Sequence, residues 1–455
     1  MSSTDPTLRR LARHVFQADF SRLPAEAVHE CRRRLIDSVA CAAAAYPEPF
    51  CERIRSLTGR YGGVPSARVW GSGEHASVEM AGFANGTMLR YLDYSDTWLG
   101  KTAGHPSDMI AALVAVAEAY EADGAALVAA IVSAYEVYCG LCDSVALQAH
   151  GIDQSTCAAV GTAAGAGRLL GLDEERLAQA LSLALAPNLH LYNVRCGTLS
   201  DWKSCAGPNG ARNGVFAALL AREGVTGPSA AVEGRGGLFE VVGAFEWQAP
   251  SGGLPLIAGT HLKFHPVCYH GQSAIDAALA LRRAVPLDEI EDIHVETYES
   301  AYRAMGSDVQ RWAPTTRETA DHSLPYTIAM ALREGRLSTG AYAAHRLQDA
   351  RTKRLMDRIR VSADAQMTAE FPACAQARIT IRGADGSVHT HLQRNPKGNA
   401  SNPLSDAELE DKFVRLYQPW GDEAAARRVL GALWSVDRLP KVSALVDALC
   451  GAAAR

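Results

Sequence analysis

Residues 91–108 read Y-L-D-Y-S-D-T-W-L-G-K-T-A-G-H-P-S-D and separate two alanine-rich helical patterns. A connection needs turn formers, and Gly100, Gly104 and Pro106 supply them. It has no need of Asp93, Asp96, Thr97, His105 and Asp108 crowded together. Two readings stand at this point. One is an acid–base or ligand-binding loop held on a rigid helical scaffold. The other is a solvated loop that ends in a helix cap at Ser107 or Asp108.

The surrounding pattern is helical. Val28, Cys31, Leu35 and Val39 recur at spacings of three and four. Alanine-rich helices are expected near 76–92, 106–122, 125–147, 155–171, 174–187 and 208–223. Pro208 suits the first turn of the last of these, and Gly224 suits its C-terminal cap. Gly161, Gly165, Gly167 and Gly171 follow no strand, so they read as close helix contacts rather than a nucleotide loop. The pattern changes after about 255. D-E-I-E-D-I-H-V-E-T-Y at 288–298 and R-I-R-V at 358–361 read as strands. The run 377–392 alternates on both sides of Asp385-Gly386, a hairpin signal. The fold class is therefore mainly α with a smaller α+β domain spanning 265–395, and helices resume from about 405 to 453.

Composition excludes several functions. At 455 residues the chain exceeds one typical core, so two domains are expected. A net charge of −5 leaves no basic footprint for nucleic acid and no polybasic membrane patch. No uninterrupted apolar run reaches 18 residues, and the N-terminus has no leader-like apolar stretch, so a cytoplasmic protein is expected. Eleven scattered cysteines suit reduced thiols. The Cys139/Cys142 pair sits in a helical pattern, with no second pair to complete a zinc site. No metal spacing and no nucleophile elbow occurs.

Further segments identify the loop. L-D-Y-S-D-T…H-P-S-D resembles the signature of the MmgE/PrpD family. Similar matches follow in order at 167–181, 194–203, 211–228, 269–275, 319–326 and 402–409. That family contains 2-methylcitrate dehydratases, cis-aconitate decarboxylases and iminodisuccinate epimerases. The resemblance implies a large helical domain, discontinuous over 1–264 and 396–455, with the 265–395 α+β domain as a lid. It also implies a homodimer, no metal or organic cofactor, and a small di- or tricarboxylate as substrate. Its reactions share one step, removal of a proton next to a carboxylate, so the sequence separates dehydration, decarboxylation and epimerisation poorly.

Residue by residue, the resemblance places Asp93 and Thr97 as binding or orienting groups, and His105 as first candidate for general base. It places Lys203 as ion-pair partner of a substrate carboxylate, His270 as acid or carboxylate ligand, and Tyr326 as proton donor. Arg195 is a further carboxylate contact. Together they predict a cleft between the two domains. Each has a plain structural reading as well. His105 can serve a cap, Lys203 the surface, and His270 and Tyr326 the core. Asp321 and His322 can form a structural pair. Two departures matter. Gln154 stands where the family usually has histidine, and glutamine cannot shuttle a proton; His150 compensates only if the helix start shifts. The segment F-P-A-E-[FY]-H-S-Q reads H-P-V-C-Y-H-G-Q here, giving His265, Cys268 and Gly271. Where these face the pocket, a bulkier or less polar substrate is expected. A catalytically impaired carboxylate binder or scaffold is the alternative of another class, favoured by Gln154.

Overall fold

The computed structural model describes residues 5–249 and 255–450. The first residues of the chain, read above for a leader, and the end of the helical expectation near 453 lie outside these. The fold is mainly α, with 21 helices and few small sheets among the described residues.

The first core draws on residues 8–262 and again on 404–449. The helix Ala25–Ala45 buries Val28, Cys31, Leu35 and Val39 on one face, as their spacing predicts. Gly124–Ser144 is long and apolar enough to cross a bilayer, but 89% of that window is buried within the protein, so it is a core helix. Ser155–Leu169 and Trp202–Arg222 cross most closely. A methyl group at Gly210 would overlap the Ser155 carbonyl, and one at Gly214 the Ala159 carbonyl. Gly161 and Gly165 make similar room for Ala134 and Ala130 carbonyls. Gly171 is different. It follows the helix with φ +69° in open space, so it is a turn glycine and not a contact.

Pro208 also corrects its expectation. The helix begins at Trp202, six residues earlier, and Pro208 lies inside it. It packs on Gly86 of the helix Val78–Tyr91, where an added Cβ would lie 3.1 Å from it. Tertiary packing overrides the local preference for a proline-led start.

A second core draws on residues 267–381. Its four-stranded sheet runs Ile359–Ala363, Ile290–Thr297, Ala377–Gly383, Val388–Gln393. The first pair is parallel and the other two are antiparallel. The last two strands flank the Asp385-Gly386 turn, with Gly386 at φ +81°. The helices Gln272–Leu281 and Leu324–Glu334 belong to this core.

The Gly210 contact is testable. Gly210→Ala forces apart two packed backbones and is expected to cost about 1–3 kcal/mol, read as a fall of the thermal midpoint. Gly431→Ala, in the exposed helix Glu423–Trp434 with open space around it, is expected to raise the midpoint slightly.

Candidate active site

The helix Val78–Tyr91 ends against the 91–108 segment, and the turn that follows sets the chemistry. Asp93 adopts φ +49°, a left-handed conformation that costs a non-glycine residue energy. Its carboxylate explains why that conformation persists. Asp93 Oδ1 accepts hydrogen bonds from Arg90 Nη1 at 2.6 Å and Lys263 Nζ at 2.7 Å. Its carbonyl accepts from the same Lys263 Nζ at 2.8 Å. Its Oδ2 lies 3.4 Å from Lys203 Nζ and 3.7 Å from His322 Nδ1. Lys203 Nζ also donates to both oxygens of Asp321, at 2.8 and 2.9 Å. Arg90, Lys203, Lys263, Asp93 and Asp321 are all at most 2% exposed. Burial alone would raise the Asp93 pKa, but Arg90, Lys203 and Lys263 hold it well below the usual carboxylate value.

Arg90, Lys203 and Lys263 thus meet Asp93 and Asp321, with Asp108 Oδ1 3.7 Å from Arg90 Nε, beside a cavity of about 760 Å³. Both cores contribute to that wall. Thr97, His105, Gln154 and Arg195 come from the first, and Cys268, His270, Arg311 and His322 from the stretch that builds the second.

His105 is held in one tautomer. Its Nδ1 donates to the Asp96 carbonyl at 2.7 Å, which leaves Nε2 as the ring's base. Its backbone N–H donates to Tyr138 Oη at 2.8 Å. Burial, helped by Arg90 and Lys263, holds the His105 pKa well below the usual imidazole value. Asp96 fixes the loop, accepting from Ser107 N–H at 3.0 Å and Tyr135 Oη at 2.8 Å. Neither Ser107 nor Asp108 caps the helix Ile110–Ala119. Asp108 instead accepts from Gln154 Nε2 at 3.2 Å, and burial pushes its pKa up to about 6. Gly207 makes the space for that carboxylate, since any Cβ there would overlap it.

The sequence-predicted residues divide three ways. Thr97, His105, Gln154, Arg195 and His270 reach the cavity wall. Thr97 Oγ1 lies 3.4 Å from His105 Nδ1, and its backbone pairs with His261. Gln154 is committed at both ends, to Asp108 and to the Tyr138 hydroxyl. Arg195 chelates Asp153 at 3.0 and 3.3 Å and donates to the Lys203 carbonyl. His270 Nδ1 lies 2.7 Å from Tyr298 Oη, and burial, with His322 and Lys263, lowers its pKa to about 4.

Asp93 and Lys203 form the second set. They stand behind the wall, bound to other protein groups. Tyr326 is the correction. It is 1% exposed within the second core, and its hydroxyl donates to the Ala341 carbonyl at 2.5 Å. The helix Leu324–Glu334 turns that side chain inward, away from the cavity.

Two of the unusual residues also fall away from it. His265 is buried 2.8 Å from Asp276, and Gly271 packs on Met305 and Val267. They do not widen the cavity; Cys268 and Gln154 are the departures that face it. His150 is exposed and does not replace the missing histidine, because the helix starts at Ser155.

Sequence reasoning missed Arg90, Lys263 and Arg311. Arg311, from the short helix Val309–Trp312, is 2% exposed and lines the cavity. Its Nε and Nη1 are buried without a hydrogen-bond partner. A buried guanidinium with unmet donors on a cavity wall suits a carboxylate. His322, read above only as a possible partner of Asp321, also reaches the wall. Its Nδ1 donates to Asp321 Oδ1 at 2.5 Å. Burial opposes its charge, but Cys268 and Asp321 raise its pKa above the usual value. Spacing showed no metal motif. Among the described residues the fold does gather one close set, Asp93, Cys268 and His322, within 4.8 Å. A dication there would face Arg90, Lys203 and Lys263, so the donor set fits a metal poorly.

Residues 9–248 match the MmgE/PrpD N-terminal domain, and residues 265–437 match the MmgE/PrpD C-terminal domain. The chain is 27% identical to 2-methylcitrate dehydratase of Escherichia coli over 424 residues, 86% of each chain. It is 28% identical to the 2-methylcitrate dehydratase of Cupriavidus necator, over 86% of this chain and 87% of that one. It is 27% identical to a fungal alkylcitrate dehydratase, over 89% of this chain and 86% of that one.

The buried titrating groups give a pH dependence. Folded His270 takes its proton only near pH 4, against about 6.5 when unfolded. Between these values the unfolded chain holds more protons, so acidification destabilises the fold. Asp108 acts oppositely, because folding raises its pKa from about 3.9 to about 6. Thermal midpoints measured across about pH 6.5 to 4 are expected to fall. His270→Gln lessens that fall, and Asp108→Asn deepens it.

Proposed function

The chain belongs to the MmgE/PrpD family, and on that premise we propose that it is a lyase that removes water from a small hydroxy di- or tricarboxylate of the 2-methylcitrate type. The observation that carries the reading is His105. Its one proton is committed to a backbone carbonyl, and its free nitrogen is the base on a wall backed by buried cations.

Substrate carboxylates dock on the unpaired Arg311 and on the positive surface of Arg90 and Arg195. The docked anion adds negative charge beside His105, offsets the effect of Arg90 and Lys263, and raises its basicity as the substrate arrives. His105 Nε2 then takes the proton next to a carboxylate. The C–H electron pair becomes the new C=C bond, and the C–O bond breaks. His322, whose pKa lies on the other side of the usual value, delivers the proton that lets hydroxide leave as water. Lys203, Lys263 and Asp93 do not touch the substrate; they hold the wall in place. His270, neutral near pH 7, is a hydrogen-bond partner rather than an acid.

The reading is tested by proton NMR in heavy water with 2-methylcitrate, citrate, cis-aconitate and an aspartate-derived imine. A new vinyl signal from a hydroxy acid is expected. Loss of a carboxyl carbon would make the protein a decarboxylase instead. Deuterium uptake without net change would make it an epimerase or isomerase, and silence throughout would make it a binder. His105→Gln is expected to lower kcat by about 10²–10⁴-fold. Arg311→Met is expected to raise KM about tenfold or more with a smaller effect on kcat, as loss of one charged dock requires.

A further inference from the structure

Cys268 differs from the other thiols of the chain. Cys31, Cys41, Cys51, Cys139, Cys142 and Cys205 are packed inside helices, and burial pushes each thiol up from its usual pKa. Cys268 is only partly buried and lines the cavity. Its Sγ lies within 4.8 Å of a ring nitrogen of His322. The two are locked together by backbone, since Cys268 N–H donates to the Asp321 carbonyl at 3.0 Å. Asp321 in turn accepts the His322 Nδ1 proton at 2.5 Å. A thiol, an imidazole beside it and a carboxylate orienting that imidazole form the arrangement that activates a cysteine nucleophile.

The electrostatics agree. Burial and Asp93 disfavour the thiolate, while His322 and Lys263 favour it and outweigh them. His270, neutral near pH 7, adds no charge on that side. The second observation is Arg311, whose unpaired guanidinium on the same wall selects ligands that carry a carboxylate.

We propose that Cys268 is a nucleophilic thiol served by His322 and oriented through Asp321, and that the cavity delivers to it electrophiles bearing a carboxylate. The Sγ proton rests on His322 in the thiolate–imidazolium pair, and the sulfur electron pair forms the S–C bond. With a haloacid, the carbon–halogen bond breaks and halide leaves with its pair. With an α,β-unsaturated acid, the π pair moves to the α-carbon, which takes the proton back from His322. The assignment does not depend on the dehydratase reading, because its product is read by mass and not by turnover.

The test is alkylation of the full chain by iodoacetate and by iodoacetamide at about pH 6.5, below the usual thiol pKa of about 8.5, with peptide mass spectrometry. Iodoacetate is expected to label Cys268 about tenfold faster than Cys196, the exposed thiol on the rim of the same cavity. His322→Gln is expected to move the pH profile of Cys268 labelling up by about one unit or more. Arg311→Met is expected to slow iodoacetate several-fold and leave iodoacetamide unchanged. Cys268→Ser removes the label. Earlier labelling of Cys196, or a Cys268 profile that His322→Gln does not move, overturns the proposal. So does an Arg311→Met variant that slows both reagents alike. Far-UV circular dichroism establishes that each variant is folded; where His322→Gln is not, the order of labelling in the parent chain and the Arg311→Met comparison decide.

Discussion

The burial of Asp93 is the constraint on which the rest of the site depends. A carboxylate with 1% exposure is stable only where cations replace its water, and here three do so from three distant parts of the chain. Arg90 comes from the helix just before it, Lys203 from the first turn of Trp202–Arg222, and Lys263 from the stretch joining the two cores. Each cation is buried in its turn and needs the carboxylate. The strained backbone at Asp93 is the means by which one side chain reaches all three. The His105 loop, the Lys203 helix and the Asp321–His322 turn are thereby fixed relative to one another without a ligand.

That arrangement separates two jobs among residues that look alike in sequence. Lysines and aspartates packed behind the wall set its potential and its shape. On the wall, His105 Nε2 and two nitrogens of Arg311 remain without a protein partner. His105 and His322 are both histidines near the same carboxylate, yet burial and the cations beside one lower its pKa, while a thiol and a carboxylate overcome burial to raise the other. Environment thus sets the two apart, and the proposed dehydration uses one as base and the other as acid.

Much of the fold was legible in the sequence. The period of 3.6 gave the helices, and Asp385-Gly386 between alternating runs gave the hairpin, because both signals are local. Pro208 misled because its place is decided by Gly86, more than a hundred residues away. At the site, the 91–108 loop announced itself by its density of polar groups, and resemblance supplied Thr97, His105 and His270. Lys263 carried no local mark, since its partner Asp93 lies 170 residues earlier. Arg90 did carry one. It is a charge in the last turn of a largely buried helix, three residues before an aspartate, and such a charge is buried only when paired. Arg311 is known only by the absence of a partner, a property no sequence displays. Tyr326 shows the limit of resemblance: a residue in a matching motif can still turn its hydroxyl into the core.

Lys412 carries one more consequence. It is 1% exposed in the helix Asp406–Tyr417, and it donates to Asp37 and to the carbonyls of Tyr94 and Lys263. Those three partners precede Lys412 by 149 to 375 residues. Until it emerges from the ribosome, Asp37 lacks the lysine that faces it in the folded chain. A nascent chain, or one cut short before residue 412, holds every group of the cavity wall but lacks the lysine that ties their backbones together.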